Sequence, residues 1–572
     1  MQYHVDYAAS NAEEWVTCRR LGMLHERVTA VGPELTLFNF LSFMRWDYLR
    51  RHLTDGLQHI MARAGIAEPQ CPKLPESVLA EFRRIMESEG IDWGDWKFHL
   101  NYRIHLNRSS SEADFDLFFK LVPMAKETEA TLRRIILEGV ETDDDRNGTV
   151  ERRFYDLSIL PLNLLLGDAV IVYFIPPADY LEPHPTKKAD PYGIIRGRSR
   201  VKVAKGQPTA VLDEETKLIL GAHKFSHTLL LNIDFYCPVG CSDCYKTRMG
   251  TREYLDPELI EAGVRPKIYR HPELGELNPP TRGQVTEQAK RTVRWMNEDP
   301  RGQQVYDVIV SGGEPLLMPN ETIKGILNEF QNAKNLRIFR ICTGALFLGL
   351  PFRIDDELLD MLKDFSEATG VRVTIQAHLG NHHMISPEAL IAVQKIRQRG
   401  IPIYSQIPIK NGVNFFLDDL DKTMEYLVEL GRRQVLIGVE PYMFIVDMHP
   451  STNAYYVPIE PLMQVWGMLV ESHDYPGLER PRTLSVLFEG GNIILSGHTL
   501  FSAKKEVDKE NDRVIYHIPR VGALTGWEPQ IAEVFEYDEP LIEGINDDPK
   551  SLEKLRTRWE RMTARGEQGD SY

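Results

Sequence analysis

Cys237-Pro-Val-Gly-Cys241-Ser-Asp-Cys244 packs three of the six cysteines of a 572-residue chain into one short loop. Thiolate clusters hold zinc or iron–sulfur centres, and a purely structural site of either kind normally takes four protein ligands. Three local thiols leave a coordination position open, and an open iron can take up a substrate or cofactor as well as carry electrons. A zinc site completed by a distant His or Cys, or a disulfide, is the blander alternative. An electron-carrying cluster would need a fourth cysteine, and Cys18, Cys71 and Cys342 form no second group. About seventy residues downstream comes Ser311-Gly312-Gly313-Glu314-Pro315. Glycines let backbone approach a ligand closely, and a carboxylate at a strand end can accept from an ammonium group. A Gly-Gly turn before proline is common alone; beside the cysteine loop it is specific.

These residues need elements that bring them together. Strand-like runs at Leu229–Phe235, Val305–Val310, Leu336–Cys342, Val371–Ala377, Ile401–Ile409 and Val435–Val439 alternate with helix-like segments at Gln284–Asn297, Ile323–Asn332, Asp355–Phe365, Pro387–Arg399 and Leu417–Leu430. That alternation predicts an α/β fold with a parallel sheet, and six such units predict a partial (β/α)6 TIM-like barrel. In barrels of this kind chemistry collects at the carboxyl ends of strands, where the cysteine loop, the Gly-Gly segment, Cys342, His378 and Gln406 all fall.

Around this unit, residues 1–90 read as a mostly helical extension, with amphipathic spacing over Leu35–Leu53 and Pro75–Ser88. Residues 91–220 read as a second helical region to about Glu141, an acidic solvated loop over 141–148 and a Pro- and Lys-rich linker over 177–208. Residues 221–450 form the barrel and 451–572 an α+β C-terminal region. The latter has strands at Thr483–Phe488 and Ile493–Leu495, then charged irregular chain. The polar helix over Lys550–Arg561 could serve oligomerisation or simply be solvated. No apolar stretch of about 18 residues and no basic-then-apolar start are present, so a cytoplasmic protein without membrane contact is expected. A net charge of −16 argues against nucleic acid as a partner.

The triad, the aromatic residue at Tyr236 or Tyr245 and the Gly-Gly-Glu-Pro segment together resemble radical S-adenosylmethionine (SAM) enzymes. That resemblance implies a [4Fe–4S] cluster on Cys237, Cys241 and Cys244, with SAM chelated at the open iron. It also implies SAM contacts from Tyr245, Lys246, Ser311, Gly312, Gly313, Glu314, Pro315, His378 and Gln406. Over about Trp93 to Pro540 the chain is similar to the lysine 2,3-aminomutase family. The shared order runs through Trp93/Trp96, His223-Lys-Phe225, the cysteine loop, Ser311–Leu316, Arg340-Ile-Cys-Thr343, His378 with Asn381-His382, Gln406 with Gly412-Val-Asn414, and Pro441-Tyr442 with Asp447. Asp447 matches a position that meets the substrate's distal amine. The resemblance therefore implies a small amino-acid-like substrate and a low-potential electron donor such as flavodoxin or ferredoxin.

The departures narrow the chemistry. Family members anchor pyridoxal phosphate (PLP) through a lysine after a glycine run, and here Glu489-Gly-Gly-Asn492 carries no amine for a Schiff base. Lys224 and Thr228 stand where phosphate-gripping arginines are expected, and Lys246 replaces another. PLP is therefore doubtful, with Lys410, Lys504 or Lys505 as relocated anchors under the alternative of a PLP-dependent aminomutase. Without PLP, a 5′-deoxyadenosyl radical would serve isomerisation, epimerisation or C–H functionalisation, and Cys342 could return a hydrogen atom to a substrate radical. A modifier of peptides, with residues 1–90 as the recognition module, is a third reading. His382 and His383 read as loop residues rather than ligands.

Overall fold

The computed structural model describes residues 17–106, 110–144, 149–153, 157–175, 209–225, 227–234, 237, 241, 244, 269–271, 275–277, 280, 282–447, 455–471, 483–488, 491–495, 502–525, 528–557 and 561. The expected linker over 177–208 lies outside them. Helices α1 (Thr17–Val31), α2 (Leu37–His52), α3 (Asp55–Ala64) and α4 (Glu76–Glu89) build the amino-terminal region. Their apolar stripes, with Phe40, Phe43 and Phe82, are buried together. α5 (Trp96–Asn101), β1 (Ile104–Leu106), α6 (Glu112–Leu121) and α7 (Lys126–Glu138) follow. The expected acidic loop is corrected in part. β2 (Val140–Asp144) pairs antiparallel with β3 (Thr149–Arg153), and the register sets Glu141 opposite Arg152. Interleaved β-branched residues suit a strand despite the charge. β4 (Leu157–Ile159), α8 (Pro161–Leu166) and α9 (Asp168–Ile171) complete this part.

The central sheet takes β5 (Ala210–Leu212), β6 (Ile219–Phe225) and β7 (Thr228–Asp234) antiparallel to one another. After the small hairpin β8 (Tyr269–His271) and β9 (Gly275–Leu277), strands and helices alternate. They are α10 (Val285–Glu298), β10 (Asp307–Gly312), α11 (Asn320–Phe330), β11 (Ile338–Thr343), α12 (Asp356–Thr369), β12 (Arg372–His378), α13 (Pro387–Gln398), β13 (Ile403–Pro408), α14 (Leu420–Ile437) and β14 (Glu440–Asp447). α15 (Ile459–Glu471) leads to β15 (Thr483–Phe488) and β16 (Gly491–Leu495). The ten strands lie in the order β16-β15-β14-β13-β12-β11-β10-β7-β6-β5. Every neighbouring pair from β7 to β15 is parallel, which is an α/β architecture.

Strand alternation decides which residues meet the helices. On β11, Phe339, Ile341 and Thr343 are buried while Ile338, Arg340 and Cys342 are half-buried. Phe339 packs edge-on against Phe330 of α11 and near Phe365 of α12. The register then puts Cys342, Gln376, His378, Tyr404 and Gln406 on the opposite face.

One expected strand is wrong. Val435–Ile437 is the last turn of α14, whose buried positions include Leu427, Leu430, Gln434 and Ile437. The helix stops at Gly438, left-handed at φ 89°, and the strand is Glu440–Asp447. A β-branched run closing an amphipathic stripe reads equally as strand or helix end. The carboxyl-terminal region is also more regular than expected. β17 (Lys504–Asp508), β18 (Arg513–Thr525) and β19 (Glu528–Pro540) form an antiparallel sheet, in which Val514, Tyr516 and Ile518 alternate inward. The terminal helix α16 covers 551–557.

Candidate active site at the strand ends

Cys237, Cys241 and Cys244 follow β7, half-buried, and Cys237 and Cys241 pack against the core. None of the three forms a disulfide, and the Cys244 amide donates to the Cys241 carbonyl at 3.1 Å, a tight turn. Among the described residues, no three His, Cys, Asp or Glu side chains are gathered as a metal-binding group. The loop supplies three thiol donors. Tyr245 and Lys246 lie outside the described residues.

Ser311 and Gly312 close β10 beside β7, with the register slipping between them. Gly312 has φ 136°, which a side chain would oppose. Gly313 is half-buried, and Pro315 opens a 3-10 turn to Leu317. Glu314 departs from the expected role. Its carboxylate is buried, and one oxygen accepts from Thr343 Oγ1 at 2.7 Å and the Leu316 amide at 3.1 Å. The other accepts from the Gly344 and Ala345 amides at 2.8 and 3.1 Å. Burial pushes its pKa up, against the pull of those hydrogen bonds. With four donors from its own chain, the side chain faces into the fold and ties the Gly-Gly turn to the end of β11.

Cys342 donates to Gln376 Oε1 at 3.2 Å across the β11–β12 pair. His378 and Gln406 are opposite each other in register at the ends of β12 and β13, both half-buried. Asp447 ends β14, opposite Leu487. His382 is buried and stacks on Tyr426, and burial lowers its pKa to about 3. That is the behaviour of a packed, neutral loop histidine. At the amino ends of the strands, Arg340 pairs with Asp307, which also accepts from Thr228 Oγ1 at 3.1 Å.

Gln376 is not singled out in the sequence, though it lies two residues before His378 on the same face of the strand; Thr343 and Asn414 fall in the segments Arg340–Thr343 and Gly412–Asn414 that the sequence picks out, but their tertiary hydrogen bonds are announced by no spacing.

A parallel β/α sheet whose strand ends gather a three-thiol loop, a glycine turn, a thiol and polar side chains is an enzyme's architecture. No protein-family model matches the chain. A protein of Aquifex aeolicus (strain VF5), provisionally described as an L-lysine 2,3-aminomutase, is 25% identical over 299 residues, 50% of this chain and 68% of that one. The L-lysine 2,3-aminomutase of Methanococcus maripaludis is 24% identical over 259 residues, 45% of this chain and 50% of that one. That of Acetoanaerobium sticklandii is 22% identical over 374 residues, 64% of this chain and 70% of that one. Several of the matches span only about half of the relative's length. Over part of its length the chain is thus similar to enzymes named L-lysine 2,3-aminomutase. No helix among the described residues is long and apolar enough to cross a membrane.

Proposed function

We propose that this protein is a radical SAM enzyme acting on an amino acid or amino-acid derivative without PLP, on a partial (β/α)6 barrel spanning residues 221–450. Residues 1–90, 91–220 and 451–572 are the flanking regions. The observation that carries the reading is the convergence of the cysteine loop, the Gly312–Gly313 turn, Cys342, His378 and Gln406 on the carboxyl ends of neighbouring parallel strands.

The donor set suits an iron–sulfur cluster: three closely spaced thiols outside any disulfide, with a glycine turn at the neighbouring strand end. Cys237, Cys241 and Cys244 would hold it. Ser311, the Gly312–Gly313 backbone, Pro315, His378, Gln406, Tyr245 and Lys246 would surround SAM. With SAM bound, such a cluster supplies reductive cleavage to methionine and a 5′-deoxyadenosyl radical able to abstract hydrogen. A flavodoxin- or ferredoxin-like donor would deliver the electron. Cys342 would give its sulfur-bound hydrogen atom to a substrate carbon radical; an electron from the reducing supply and a proton from solvent would then restore the thiol. Asp447 would meet a substrate amine.

The residues fit PLP poorly. Asn492 occupies the expected anchor position on β16, and Thr228 hydrogen-bonds Asp307. Lys505 is held by Glu460 and Ser551 in the carboxyl-terminal region, Lys504 is exposed on β17, and Lys410 is buried against the Tyr173 ring. The relatives' names favour the second reading, a PLP-dependent aminomutase. A yellow chromophore lost on borohydride treatment would support it.

Anaerobic reconstitution with iron and sulfide, then dithionite and SAM, tests the proposal. 5′-Deoxyadenosine above background is expected, and Cys237→Ala should abolish it. Its absence from correctly folded, cluster-loaded protein rejects the radical reading. Solvent deuterium absent from product, or an unaffected Cys342→Ala variant, rejects the hydrogen-donor role.

A further inference from the structure

We propose that Asn414 is a positioning residue that sets His378 and Gln406 relative to each other; this rests on the reading that those two side chains face SAM. β12 ends at His378 and β13 runs two residues past Gln406, and at each strand end a loop begins that could drift. The ladder continues for one bond, from the Leu379 amide to the Gln406 carbonyl at 3.0 Å. Beyond it, Asn414 takes over. Its Nδ2 donates to the Gly380 carbonyl and to the Pro408 carbonyl, both at 2.7 Å. Gly380 lies two residues after His378, and Pro408 two residues after Gln406, so one amide group bridges equivalent points on the two chains. Its Oδ1 accepts from the Lys410 amide at 2.8 Å, closing the loop on itself.

Asn414 is fully buried, and both of its N–H donors and its oxygen are used. Water cannot substitute there, and no other side chain of that size offers two donors and one acceptor. The far side of the same loop is fixed independently. Asn381 Nδ2 donates to the Ala169 carbonyl at 2.7 Å. A Cβ on Gly380 would fall 2.4 Å from the Tyr173 ring. The His378 loop is thus pressed by α9 and its following turn toward β13, and Asn414 sets where it stops.

Asn414→Asp is the informative variant because it keeps the shape and replaces the two-proton donor by a carboxylate facing two carbonyls. That setting raises an acid's pKa, so lowering the pH restores a proton and one of the two bonds. Asn414→Ser serves as a second variant if the first folds poorly at neutral pH. Amide exchange in the cofactor-free full-length protein is expected to rise together in 379–381 and 407–410 and nowhere else. In the reconstituted protein, SAM affinity by calorimetry should fall about 10- to 100-fold, with KM for SAM rising more than kcat falls. In Asn414→Asp both effects should recede as the pH is lowered, while the wild type shows no such trend. Exchange that rises across the whole fold, or SAM affinity unchanged in a variant of reduced stability, overturns the proposal. A wild type whose two segments exchange together but which binds no SAM overturns the reading of the site, and with it any role for Asn414 there.

Discussion

Glu314 shows how a motif residue can be turned into the fold. Its four hydrogen bonds come from Leu316, Thr343, Gly344 and Ala345, so it fixes the strand end that carries Cys342 and the turn that carries Gly312. In Glu314→Gln, one oxygen becomes an NH2 facing a backbone N–H on either side. A loss of about 1–3 kcal/mol is expected in chemical denaturation, with weakened SAM binding as the glycine turn shifts. A Glu314→Gln protein as stable as the wild type would contradict this network. Ser-Gly-Gly-Glu-Pro stands out in the sequence as a candidate by its glycines and its distance from the cysteines. The direction of the Glu314 side chain was not, because its donors lie on the next strand. The same limit hid the role of Asn414, whose partners are spread over Gly380, Pro408 and Lys410.

At the scale of elements, the strand–helix alternation was readable because the parallel strands of the central sheet are short apolar runs separated by amphipathic helices, several of them capped. Ser386 accepts from the Ala389 amide at 3.1 Å to start α13, and Asp355 does the same for Leu358 at 2.8 Å to start α12. Val435–Val439 misled because the close of α14 is written in β-branched residues. The joint between α2 and α13 gave no sign either, being a contact of residues 343 apart. Arg45 of α2 donates to both oxygens of Glu388 on α13, at 2.7 and 3.0 Å, and Trp93 Nε1 donates to the same carboxylate at 3.1 Å. Glu388 is buried. Removing one side leaves an uncompensated buried charge, so Arg45→Met should cost about 3–5 kcal/mol, and replacing both residues with Met should cost less than that single change. Deleting residues 1–90 removes Arg45 and should give an aggregating chain. A folded, SAM-cleaving truncation would show instead that the amino-terminal helices are a separable recognition module.

Over the whole molecule, buried carboxylates of opposite tendency hold the amino-terminal helices to α13 and the carboxyl-terminal sheet to the start of α15. At Glu388, burial works to raise the pKa, but the charge and hydrogen bonds of Arg45, with Trp93, hold it below the ordinary value. A depressed acid contributes stability above its unfolded pKa and loses it as the pH falls through the folded one. The carboxyl-terminal joint behaves the other way. Glu539 is buried and accepts from Tyr456, the Ile459 amide and Asn546 Nδ2. Tyr516 has one hydroxyl proton, yet its oxygen lies 2.7 Å from Glu460 and 2.9 Å from Glu539. Glu460 is paired with Lys505, so the missing proton belongs on Glu539, and burial pushes that pKa up. A raised acid contributes fully below its unfolded value and loses that contribution as the pH rises through the folded one. Stability against denaturant should therefore peak at mildly acidic pH. Amide exchange should rise first in α2 and around Trp93 on the acid side, and first in β17–β19 on the alkaline side. Glu388→Gln should flatten the acid limb. Glu539→Gln should flatten the alkaline limb at a cost in stability, because its new NH2 faces that of Asn546. Acid and alkaline limbs that loosen the same segments, or an alkaline limb unchanged in Glu539→Gln, would show that these joints do not govern how the molecule comes apart.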